Sequence, residues 1–196
     1  VVESSISGLN AVTEFYKNIP EGTLELDSAM GDVISVKGGS LAWGDYDGDG
    51  NIDLAASGRP FGKFDGSDWM ASLVLYRNRP AGLLSLDDNF TLSASLAAVG
   101  DLSWVDFDND GDIDLATSGR TYLSSYNASV FLNNDGSLNG VSQESELYGL
   151  DGGSVDWVDY NGDGRSDLLI AGMDDSGERF TDLYVNQGTA PRNSNP

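Results

Sequence analysis

The chain contains no cysteine and no histidine. Disulfides, cysteine nucleophiles, Ser-His-Asp triads and the usual zinc sites are thereby excluded together. The missing cysteines leave the compartment open. Basic residues are scarce: 10 Lys and Arg stand against 32 Asp and Glu, a formal net charge of −22. Such a surface repels nucleic acid and anionic membranes, so neither is a partner. No run approaches the roughly 18 apolar residues of a membrane helix, and no membrane insertion is expected. Sustained helical periodicity is also missing; the nearest case, Ala11 to Tyr16, reads as a strand. The chain opens Val1-Val2 with no signal peptide, which suggests a processed product or a piece of a longer protein.

What remains is apolar enough, at 39% of 196 residues, to build a core for one or two domains. The acidic excess is not a disordered tail. It is concentrated in three short stretches separated by hydrophobic runs. The densest, D-F-D-N-D-G-D-I-D-L from Asp106 to Leu115, places Asp106, Asp108, Asp110, Asp112 and Asp114 at every second position. Carboxylates this close repel one another unless a cation lies among them. An all-oxygen donor set points to a hard ion, Ca2+, rather than a transition metal.

The stretch is one copy of a repeat. Ser40–Arg59, Asp101–Arg120 and Ser154–Met173 align, with leading aspartates Asp45, Asp106 and Asp159. Short apolar runs ending in Asn recur in step at Leu73–Asn78, Val130–Asn134 and Leu183–Asn186. An earlier one, Glu14–Asn18, has no acidic loop before it. The N-terminus thus reads as the back half of a unit. Short β-type runs bounded by Gly, Asp, Asn and Ser are strand signals. The expected fold is all-β: propeller-type blades of four antiparallel strands, three full and one partial. The blades would span 1–188, with the partial blade at 1–39, and 189–196 would be a linker or tail.

Numbered from its first Asp, each loop offers side-chain oxygens at positions 1, 3 and 5. These are Asp45, Asp47 and Asp49; Asp106, Asp108 and Asp110; and Asp159, Asn161 and Asp163. Position 6 is Gly50, Gly111 or Gly164, as a loop turning back around one ion requires. Position 7 varies (Asn51, Asp112, Arg165), which suits a backbone carbonyl ligand. Position 9 is always Asp, at Asp53, Asp114 and Asp167. Three bound Ca2+ would change the net charge from −22 to −16. An EF-hand shares the first seven positions but needs flanking helices and a Glu at position 12, where this chain has Ala56, Thr117 and Ile170.

The pattern D-x-[DN]-x-D-G-x-x-D-L after a Trp, with S-G or A-G beyond it, resembles the FG-GAP/VCBS repeat family of integrin-like calcium-binding propeller blades. The resemblance covers roughly Thr13 to Gly188. It implies a Ca2+ loop between the first two strands of each blade and an extracellular or cell-surface setting, commonly in adhesion or carbohydrate-related proteins. The third copy departs from the pattern at Asn161, Arg165 and Ser166, so its site is expected to be the weakest.

Trp43, Trp104 and Trp157 stand two residues before each loop, and Tyr46, Phe107 and Tyr160 at position 2. Repetition assigns both sets to packing between blades. The segments after each loop differ. Phe61, Phe64, Trp69 and Met70 form the most exposed-looking cluster, readable as a partner surface or as a loop folded on its own blade. Asn89 and Asn127 head N-x-[ST] sequons. Three blades and a fraction leave open edges that invite another protein or a second copy. The resulting expectation is a non-catalytic, calcium-stabilised module for adhesion, scaffolding or self-assembly. The alternative is a carbohydrate-binding or polysaccharide-cleaving domain of a larger secreted protein. It would have to use dispersed acids such as Asp65, Asp68, Asp151, Asp156, Asp174 and Asp175.

Overall fold

The structure, a computed structural model, describes residues 13–20, 22–27, 33–60, 72–80, 82–88, 90, 99–120, 126–142, 147, 150–174 and 176–188. Among these residues every regular element is a β-strand. Phe61, Phe64, Asp65, Asp68, Trp69, Met70, Asn89, Asp175 and the tail from 189 lie outside them.

Three antiparallel sheets repeat one plan. In the first, β4 (Leu41–Gly44), β5 (Asp53–Pro60), β6 (Ser72–Arg79) and β7 (Leu83–Leu86) lie side by side. The two-residue β3 (Val36–Lys37) pairs with the far end of β5, so this sheet begins within the stretch expected to be the partial blade. The second sheet holds β8 (Val99–Val105), β9 (Asp114–Arg120), β10 (Tyr126–Asn134) and β11 (Ser137–Ser142). The third has β12 (Asp151–Val158), β13 (Asp167–Met173) and β14 (Arg179–Tyr184), three strands where four were expected. These are open sheets; among the described residues they form no closed ring.

Register confirms the repeat. Trp43 faces Leu54, Trp104 faces Leu115 and Trp157 faces Leu168 across the first strand pair. Those leucines in turn face Tyr76, Phe131 and Tyr184. A hairpin of β1 (Tyr16–Asn18) and β2 (Leu24–Leu26) precedes the sheets, with Asn18 opposite Leu24. Asn78 opposite Leu84 and Asn133 opposite Leu138 are the same pairing in the outer strands of the first two sheets. The hairpin therefore matches the outer strand pair of the first two sheets and includes the isolated Glu14–Asn18 run.

The second strands of the first two sheets are buried on both faces. β9 is buried from Asp114 to Gly119, and its D-L-A-T-S-G sequence is small enough to permit that. One core forms between the first two sheets from Tyr46, Ala55, Leu75, Leu102, Leu115 and Phe131. A second includes Ala128 from the second sheet and Val155, Leu168 and Ile170 from the third. Side chains of the second sheet lie close over the first-sheet backbone here: a Cβ on Gly44 would lie 2.6 Å from Ile113 Cδ1 and 2.9 Å from Trp104 Cδ1. At the start of the first strands the aligned residues Ser40, Asp101 and Ser154 meet. Asp101 accepts the Ser40 hydroxyl at 2.9 Å, the Ser154 hydroxyl at 2.8 Å and the Val155 N–H at 3.0 Å. One carboxylate thus ties three sheets together.

Candidate metal centre

Each acidic loop connects the first and second strands of its sheet, where the resemblance implied it would be. A common hydrogen-bond frame shapes the loops. The position-1 carboxylate accepts the position-6 N–H: Gly50 to Asp45 at 3.0 Å, Gly111 to Asp106 at 3.1 Å and Gly164 to Asp159 at 3.0 Å. The position-5 carboxylate accepts the position-7 N–H at 2.8–2.9 Å in all three. The position-6 glycines hold φ of 87°, 102° and 84°, which an L-residue resists. Position 4 (Gly48, Asn109, Gly162) is also left-handed, a requirement legible as Gly or Asn but passed over in the sequence.

Asp53, Asp114 and Asp167 are fully buried. Each grips backbone on both sides. One oxygen accepts the position-2 N–H, at 3.3 Å from Tyr46, 2.8 Å from Phe107 and 3.1 Å from Tyr160. The other accepts the N–H of an asparagine on the third strand or just beyond its end, at 2.7 Å from Asn78, 2.7 Å from Asn133 and 2.8 Å from Asn186. Burial nevertheless pushes Asp53 and Asp114 up to a pKa of about 6. Asp108 is also raised, by burial first and then by its anionic neighbour Asp110. Carboxylates held in this state are sites where a cation binds with gain.

Two sets of carboxylate oxygens converge to within 4.8 Å of one another: Asp45, Asp47 and Asp49 in loop 1, and Asp106, Asp108 and Asp114 in loop 2. The second set includes the position-9 residue and the first does not. Asp45 Oδ1 and Asp108 Oδ1 are buried without a hydrogen-bond partner. A buried, unpartnered anionic oxygen is costly, and an ion seated among these groups would satisfy it. Separations of this size and an all-oxygen donor set fit a hard divalent cation. In loop 3 no such set forms among the described residues. Asp112 turns its side chain outward to accept the Asp135 N–H at 2.8 Å, and Asn51 donates to Asp49 at 2.8 Å.

The loops are also joints between sheets. Tyr46 stacks on Trp104 with ring centroids 6.0 Å apart, and Phe107 packs against Trp157 at 5.7 Å. The asparagine side chains form a second link. Asn133 Nδ2 donates to the Tyr46 carbonyl of the preceding loop at 2.7 Å and to Ile113 O at 3.0 Å. Asn186 Nδ2 does the same to Phe107 O at 2.9 Å. In loop 1 an additional network forms: Tyr46 donates its hydroxyl hydrogen to Asp87 at 2.6 Å, and Arg77 bridges Asp87 and Asp47 at 3.1 and 2.8 Å. Of the acids available to a glycosidase reading, Asp156 accepts the Trp157 N–H and Asp174 closes the 174–178 turn. The chain matches no protein-family model, and no curated protein is significantly similar to it.

Proposed function

We propose that this chain is a non-catalytic, calcium-stabilised module of FG-GAP/VCBS-type propeller blades, working outside the cell or at its surface in adhesion, scaffolding or self-assembly. The observation that carries the reading is the convergence of three carboxylates at the same turn of two consecutive sheets, each set with a buried, unpartnered oxygen. The calcium has a structural role. It holds a turn whose position-2 residue is the contact point for the next sheet. The non-catalytic half rests on a sequence without His or Cys whose clustered acids are committed to loops.

Association is supported by the outward faces of the first and third sheets. Leu41, Trp43 and Ile52 are exposed, although their counterparts Leu102, Trp104 and Ile113 pack into the neighbouring sheet. At the other end Val158, Tyr160, Leu169, Leu183 and Val185 are exposed. Tyr160 is 71% accessible where the equivalent Tyr46 is 2%. The first of these faces is partly covered, since Trp43 meets Phe15 edge-on at 6.0 Å, and the third-sheet face is the more open half of a joint that the chain makes internally.

Differential scanning calorimetry in calcium and in EDTA tests the metal. A loop filled at ten times its dissociation constant adds about 1.4 kcal/mol, or roughly 3–6 °C for a domain of this size. An unchanged melting temperature would refute calcium stabilisation. Sedimentation velocity in calcium tests association: oligomers that Tyr160→Asp abolishes are expected, and a monomer at all concentrations would remove self-assembly.

A further inference from the structure

We propose that the third loop takes no calcium, because the guanidinium of Arg165 serves there as a resident cation. This rests on the calcium reading of the first two loops. All three loops share the backbone frame, so the difference lies in the donor set. Loops 1 and 2 each bring three carboxylates together; Asp159, Asp163 and Asp167 do not converge. Loops 1 and 2 each retain a buried carboxylate oxygen without a partner; in loop 3 Asp159 and Asp163 are exposed and the buried Asp167 accepts two backbone N–H groups.

Most of the backbone bonds of loop 3 repeat those of the other loops, as at Asp106, and what loop 3 adds is Arg165. Asp159 Oδ1 accepts from Gly162 at 2.7 Å and Asp163 at 3.0 Å, and Oδ2 accepts from Gly164 at 3.0 Å. Asn161 Oδ1 accepts the Asp163 N–H at 2.9 Å. Arg165 Nη2 pairs with Asp163 Oδ2, while its Nε donates to Asn186 O at 2.8 Å. The side chain therefore closes the loop onto the end of the third strand, a tie that a bound ion would otherwise help to hold. Charge agrees. Loop 3 has three carboxylates and one guanidinium, a net −2, which is what the four carboxylates of loop 1 would carry with a divalent ion among them.

Loop 1 also has an arginine nearby, but Arg77 acts differently. It comes from β6, is shared with Asp87 and reaches Asp47 alone, leaving Asp45 Oδ1 unpartnered. Its guanidinium braces the loop from outside.

Calorimetric titration of the chelator-stripped 196-residue protein with Ca2+ decides the matter, read together with the amide resonances of Gly50, Gly111 and Gly164. Two equivalents are expected, with Gly50 and Gly111 shifting and Gly164 still. Replacing Asn161 and Arg165 by the residues of loop 1 (N161D with R165N) should raise the count to three and move Gly164. A wild-type count of three with a Gly164 shift overturns the proposal and leaves the calcium reading intact. A double variant that remains folded and binds two overturns the role given to Arg165. Absence of any binding sinks the calcium reading itself. The wild-type count and the Gly164 resonance decide even if the variant fails to fold.

Discussion

Asp53 and Asp114 should give the metal-free protein a pH dependence that calcium, on the proposed reading, would reverse at loop 2. Asp53 and Asp114 are 0% exposed, and burial raises both from 3.8 to about 6 even though each accepts two backbone N–H groups that favour the charged form. A raised pKa means that the fold accommodates the protonated carboxyl better than the carboxylate. This contribution is fully present below about 3.8 and is lost as pH rises through about 6. A shift of roughly two units corresponds to about 3 kcal/mol per group. In EDTA, stability should therefore increase as pH falls from 7 towards 4.5. In calcium the sign reverses at loop 2: the ion needs the Asp114 carboxylate, so affinity falls as pH drops through about 6. Urea titrations across this range, with and without calcium, measure both slopes. Relief of the −22 net charge also favours acid, so the carboxyl 13C resonances of Asp53 and Asp114 must be followed as well. Midpoints near 3.8 for both groups, or metal-free stability that is flat from pH 7 to 4.5, would refute the reasoning.

Three substitutions probe the joints. Asn133→Ala removes two buried side-chain hydrogen bonds and strands the Tyr46 carbonyl; a loss of about 3 kcal/mol is expected from urea unfolding. A value within experimental error of zero would mean that the carbonyl finds water. Asp101→Ala frees the hydroxyls of Ser40 and Ser154 and the Val155 N–H, and should cost about 2–3 kcal/mol. Although burial acts to raise it, these donors hold the Asp101 pKa below its usual value, so its contribution is present above 3.8 and lost as pH falls through the lower value; a stability difference between wild type and Asp101→Ala that does not shrink in acid contradicts this. Gly111→Ala meets no atom within 4 Å yet must adopt a φ of 102°, so about 1–2 kcal/mol and weaker calcium binding should follow from backbone strain alone. Unchanged binding by calorimetric titration would show that the turn relaxes.

The repeat, the β character of each unit and the left-handed glycine of each loop were legible because each is written in side chains at fixed spacing. Partnerships with backbone were not. V-F-L-N-N offers two asparagines, and the sequence favours neither. The register shift between Leu132 and Asn133 selects Asn133 for the buried position and leaves Asn134 exposed. The acceptor of Asn133 is a carbonyl, Tyr46 O, that any residue would supply, so no pattern in the sequence marks it. Arg165 illustrates the same limit from the other side. The sequence marked Arg165 as an added cation that weakens its loop, but not that its side chain pairs with Asp163 and reaches the Asn186 carbonyl. Asp101 was recognised only as the start of a repeat. Its role appears once the aligned Ser40 and Ser154 are brought within reach of it.

Metal loops and sheet packing are parts of one hydrogen-bonded line. Asp53 accepts the Tyr46 N–H, and the Tyr46 carbonyl accepts the Asn133 side chain. Asn133 donates its own N–H to Asp114, which also accepts from Phe107. The Phe107 carbonyl takes Asn186, whose N–H reaches Asp167, and Asp167 accepts from Tyr160. At each step a buried position-9 carboxylate fixes both the loop of its own sheet and the asparagine that reaches back to the loop before. On the proposed calcium reading, a loop distorted by loss of its ion would move the carbonyl on which the next sheet is hung. The line accounts for the joint recurrence of the position-2 aromatic, the position-9 aspartate and the asparagine after it, and an ion at such a turn would act on sheet stacking through it.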